Sequence, residues 1–124
     1  ALKEFKRLLK PGGKLFLTTN FIYQIHMEPD DFWRFTEYGL RYLGKKTGFK
    51  TEKIETQGGV FQVLAYILIT LPLRIGLEKN YYSYWLYIIL FSPLIILVNL
   101  TAVILDKIFK TKSLAINYAV TYVA

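Results

Sequence analysis

From Tyr81 to Leu105 the chain runs 25 residues without a charged side chain. As a helix that run is roughly 37 Å long, more than the hydrocarbon core of a bilayer at about 30 Å. A fold containing it must supply either lipid or a large apolar partner. A second uncharged run, Val60 to Leu73, covers 14 residues, roughly 21 Å as a helix, and is too short to cross comfortably. Pro93 and Asn99 interrupt the longer run, and the lysines at 107, 110 and 112 close it. Tyr81, Tyr82, Tyr84, Trp85 and Tyr87 open it with rings suited to a membrane interface or a packed helix face, not to base stacking.

The rest of the chain has the patterning of a water-soluble α/β protein. Leu2, Phe5, Leu8 and Leu9 share one helical face, opposite Lys3, Lys6, Arg7 and Lys10. Pro11-Gly12-Gly13 ends that helix, and Lys14 to Thr19 has the length and composition of a buried strand. Residues 20–35 show no period and read as a long loop. Thr36 is a predicted N-cap, with Phe35 and Leu40 placed as a hydrophobic staple, and Gly48 stands where a helix turns left-handed at its end. Residues 50–57 hold one large apolar side chain, Ile54, as an edge strand would. Ala115 to Val123 alternates, with Ile116, Tyr118, Val120 and Tyr122 on one side, which predicts a strand.

Composition removes several function classes. Without cysteine there is no disulfide, thiolate zinc site or cysteine nucleophile, and a single histidine argues against a transition-metal site. The net charge is +7, with 11 basic and 7 acidic side chains in residues 1–59 and 5 and 2 beyond. No block of five or six like charges occurs, so no nucleic-acid partner is expected. Pro11-Gly12-Gly13 is not a phosphate loop, because the glycines precede a strand and no Lys-Ser/Thr follows at the required spacing.

The run Leu8-Leu-Lys-Pro-Gly-Gly-Lys-Leu-Phe-Leu17 resembles the entry to the fifth strand of class I S-adenosylmethionine-dependent methyltransferases of the type 11 and type 23 kind. His26-Met-Glu-Pro-Asp-Asp-Phe-Trp-Arg-Phe-Thr36, the helix around Tyr38-Gly-Leu-Arg-Tyr-Leu43 and Thr47-Gly-Phe49 follow in that family's order. Residues 115–123 resemble its last strand, which runs antiparallel between the fifth and sixth. The resemblance implies the carboxyl-terminal half of a Rossmann-like sheet, with S-adenosylmethionine at the carboxyl ends of the strands. The family's glycine-rich loop and ribose-binding acid precede the segment matched here, so no residue of this chain is assigned to the cofactor. The chain opens inside a helical pattern and closes inside a strand pattern, so a longer protein is expected and the 124 residues alone are expected to be inactive.

Methyl transfer depends on positioning and desolvation, and needs a base where the acceptor carries a proton. The loop after residue 20 would cover the acceptor. Histidine changes charge near neutrality without help, which makes His26 the candidate base, against a purely structural role in the loop. Asn20, Asp31, Trp33, Arg34 and Tyr38 are the candidate substrate-binding residues. Arg34 either clamps an anionic acceptor or pairs with Asp31 to pin the loop, with Trp33 filling space beneath; the pinning pair is the favoured reading. Tyr38 faces the same pocket or simply occupies a helix position.

The expected organisation is a methyltransferase part at 1–59, an apolar helical insertion at 60–112 and a returning strand at 113–124. If that strand rejoins the sheet, both ends of the insertion lie on one side of any bilayer. A helical hairpin lying in the interface or dipping into the bilayer satisfies this, on the cytoplasmic face of a membrane. The acceptor is then a small molecule, a saccharide or a lipid-linked compound. Rival readings are a buried lid, an oligomer interface, a methyltransferase-like membrane or assembly module without catalysis, and an integral membrane protein of another class.

Overall fold

The computed structural model describes residues 1–74, 80–110 and 113–124; Lys79 and Lys112 lie outside the described residues. The chain is mixed α/β and divides into two compact units, residues 1–57 with 115–124, and residues 58–114.

In the first unit, α1 (Leu2–Leu8) leads through the Pro-Gly-Gly turn into β1 (Lys14–Asn20). After the loop come α2 (Glu37–Lys46) and β2 (Lys50–Gln57), and β3 (Asn117–Val123) returns from the far end of the sequence. The strand order is β1-β3-β2, with β3 antiparallel to both neighbours. Val120 sits opposite Leu17 on one side and Ile54 on the other. The polar strand β2 is an edge, where few large apolar side chains are needed, and a bulge between Thr51 and Lys53 interrupts its register.

Alternation along β3 builds the core. Tyr118, Val120 and Tyr122 are buried against Leu40 of α2 and Phe49, with Leu15, Leu17 and Ile54 packed alongside. The Tyr122 hydroxyl donates to the Leu40 carbonyl at 2.6 Å, which ties the central strand to α2. Thr36 caps α2 by accepting from the Gly39 amide, and Gly48 follows the helix at φ +81°, a conformation that disfavours any side chain. The opposite face of the sheet is open: Phe16 on it is 74% exposed.

The second unit pairs α3 (Val60–Pro72) with α4 (Tyr81–Phe109). Phe61 meets Phe109, and the Tyr87 hydroxyl donates to the Ile69 carbonyl at 3.3 Å, so the helices run antiparallel. Asp106 joins their ends. Its carboxylate accepts from the amides of Gly59, Phe61 and Gln62, each at 3.0 Å, and from the Gln62 side chain at 3.1 Å. The first turn of α3 therefore gets its cap from a residue 45 positions after Phe61. Gly59 is required there, since a Cβ would meet an Asp106 oxygen at 2.4 Å.

Helix α4 is long and apolar enough to cross a membrane, and α3 is shorter than that test. Only 6% of α4's most apolar window is buried. Leu86, Leu90, Leu97 and Leu100 stand more than half exposed. The two attachment points of this unit follow from the sheet, because Gln57 and Asn117 are register partners at one end of adjacent strands.

Candidate functional site

The carboxyl end of β1 hands the chain to the loop that precedes α2. Asn20 is not the first loop residue, as the sequence suggests; it closes β1, paired with Asn117, so the sheet fixes its direction. The loop doubles back to its origin, with the Phe35 amide donating to the Asn20 carbonyl at 3.2 Å. It contains one cis peptide bond, Glu28–Pro29.

Four of the six residues singled out in the sequence meet here. Arg34 grips Asp31 with both terminal nitrogens: Nη2 donates to Oδ2 at 2.7 Å and Nη1 makes a closer bond to Oδ1. The same guanidinium reaches the Trp33 carbonyl and the Gln24 carbonyl, both at 3.1 Å. Arg34 faces into its own loop, and the pinning pair is formed. The Arg34 bond holds the Asp31 carboxyl well below the usual carboxylate range, against burial, which pushes it up; the His26 amide adds to the lowering. Arg34 is shifted upward by the same contact.

His26 lies against this pair. Its backbone amide donates to Asp31 Oδ2 at 3.2 Å, its Nδ1 stands 3.1 Å from the Gln24 carbonyl, and its Nε2 is 3.4 Å from Asn20 Nδ2. Tyr23 sits edge-on to the imidazole at 5.0 Å. The Gln24 carbonyl, a backbone group shared by Arg34 and His26, carries no sequence signal and was invisible beforehand.

Two expectations need correction or narrowing. Trp33 does not fill space beneath the pair: its ring is 71% exposed and stacks on Phe35 at 6.3 Å. The pair uses the Trp33 backbone carbonyl instead. Tyr38 is 83% exposed on α2.

Two oxygens at this end of the sheet, Thr19 Oγ1 and Asn117 Oδ1, are buried without a hydrogen-bond partner among the described residues. Buried polar atoms of that kind are uncommon and accumulate where ligands or water bind. The residues do not, however, fit S-adenosylmethionine itself. Its ribose hydroxyls call for an accepting acid, and Asp31 is closed onto Arg34. No group of three or more metal-binding side chains occurs among the described residues.

Comparison with known proteins adds nothing to this picture: no protein-family model, curated protein or solved structure matches the chain.

Proposed function

We propose that the chain is the acceptor-side half of an S-adenosylmethionine-dependent methyltransferase held at a membrane surface by its helical hairpin. The observation that carries the reading is the order β1-β3-β2 with an antiparallel central strand. That is the arrangement implied by the family resemblance, and the motif-bearing loop leaves the carboxyl end of β1, where open α/β sheets take ligands. His26 is the proton-accepting residue, because its imidazole has a ring nitrogen beside the strand end and a second hydrogen-bonded partner to orient it.

Membrane attachment rests on the exposure of α4. Few residues of the apolar helix are buried, and the Asp106 contacts hold its end to the start of α3. With α3 at 13 residues, roughly 20 Å, a hairpin dipping into the interface fits better than two full crossings. The acceptor would then be lipid-linked or membrane-dissolved.

Two experiments test the reading separately. Calorimetry with S-adenosylmethionine, on this chain and on the protein with whatever coding sequence precedes Ala1, should show binding only in the longer form. A longer protein that neither binds nor carries a glycine-rich loop sinks the enzyme reading and leaves the membrane module. For the hairpin, the absence of cysteine allows single cysteines at Asn80 and Ser113 to be labelled on sealed vesicles. Labelling of both from the same side supports the interfacial hairpin; labelling from opposite sides shows a crossing.

A further inference from the structure

The imidazole of His26 is not simply near the Asp31–Arg34 pair; it is held by it at two points. A carbonyl oxygen can only accept, so the 3.1 Å contact between Gln24 O and His26 Nδ1 requires the proton on Nδ1. Arg34 Nη2 donates to that same carbonyl, and Asp31 Oδ2 takes the His26 backbone amide. The pair therefore fixes both the carbonyl that selects the tautomer and the backbone that carries the ring. In the neutral ring Nε2 is then an unprotonated acceptor. Its partner, Asn20 Nδ2, is 3.4 Å away, a long contact that a better donor displaces.

We propose that Asp31 and Arg34 are positioning residues that hold His26 as its Nδ1–H tautomer, so that Nε2 accepts the proton of a hydroxyl-bearing acceptor at the carboxyl end of β1. The source of that proton rests on the methyltransferase reading; the tautomer does not. A hydroxyl is the class that fits, because its oxygen becomes a competent nucleophile only as its proton leaves, whereas an uncharged amine attacks with its own lone pair. The proton passes from the hydroxyl to Nε2, and the ring becomes an imidazolium. Asp31 Oδ2, 3.5 Å from Nδ1, then faces the new positive charge.

His26 is the only histidine, so ring-15N-histidine labelling of the full chain in detergent micelles gives one pair of ring signals that belong to it alone. Above neutral pH, the expected spectrum has a protonated Nδ1 and an unprotonated Nε2, with the Nδ1–H form favoured about tenfold, the worth of roughly one net hydrogen bond. A free histidine side chain favours the opposite form, with its proton on Nε2. Arg34→Lys keeps a cation beside Asp31 but lacks the fork that reaches Gln24, and Asp31→Asn keeps the shape without the charge. Both should cut the preference several-fold while the Leu40 and Tyr118 amide signals of a second, uniformly 15N-labelled sample report an intact sheet. A wild-type ring with its proton on Nε2, or an unchanged tautomer in both variants, overturns the proposal. Since no cofactor or acceptor is present, that failure leaves the methyltransferase reading to its own test, and calorimetric failure leaves the tautomer result standing.

Discussion

The two units use apolar side chains in opposite ways. In the sheet unit, Tyr122, Leu40 and Val120 are at most 2% exposed, and the interior is closed around them. In the hairpin unit, α4 is more apolar than anything in the sheet, yet few of its residues are buried and many of its large side chains stand about half exposed. Water explains the first arrangement and cannot explain the second, since apolar area left in water forfeits about 25 cal/mol per Å². The contrast separates a unit whose solvent is water from one whose solvent is lipid or a partner.

The largest expected effect is in the sheet. Leu40→Ala should lower its unfolding free energy by about 2–5 kcal/mol, measured by denaturant titration, because α2 and the central strand pack on that side chain. A loss below 1 kcal/mol would mean that this core is not the one holding the unit together. Next comes the inverse experiment on the hairpin. Leu97→Arg, on exposed α4, should leave the sheet's denaturant midpoint unchanged but weaken partition into vesicles by about 2.5–3.5 kcal/mol, roughly a hundredfold or more. If partition is unaltered, α4 does not enter the hydrocarbon and the comparison between units collapses.

Asp106→Ala is expected to cost about 2 kcal/mol within the hairpin, read as faster hydrogen exchange at the Phe61 and Gln62 amides, whose acceptor it removes. Unchanged exchange would assign the pairing of α3 and α4 to their apolar contacts alone. The smallest effect is a pH step in the loop. Asp31 has a depressed folded-state value, so its contribution is complete above the unfolded value of about 3.9 and is lost as pH falls through the folded one. The Asp31 carboxyl carbon resonance should show its protonation step only below about pH 4. Arg34→Ala should move that step upward toward the ordinary carboxylate value, and an unchanged step would contradict the Arg34 contact.

Much of the fold was legible because it depends on local chemistry. The Thr36 cap, the left-handed Gly48 and the alternation of Tyr118, Val120 and Tyr122 follow from side-chain type and spacing, and all three are present. The candidate site was legible as a cluster but not as a geometry. Asn20, His26, Asp31 and Arg34 come together, while Trp33 and Tyr38 stand in solvent. The contacts that orient His26 and Arg34 run through the carbonyls of Gln24 and Trp33, and a backbone oxygen is present at every residue whatever its name.

By itself, then, the sequence determined element types, the capping positions and the existence of an uncharged helix that needs an apolar environment. Each depends on interactions within a few residues, where periodicity and side-chain chemistry are sufficient. Tertiary structure decided the rest: the register in which residues 117–123 pair with β1 and β2, that Asp106 caps a helix starting 46 residues earlier at Val60, and which way the loop's rings turn. Those outcomes depend on pairings between distant segments, whose hydrogen-bonding groups are chemically identical all along the chain. Only the folded geometry selects among them.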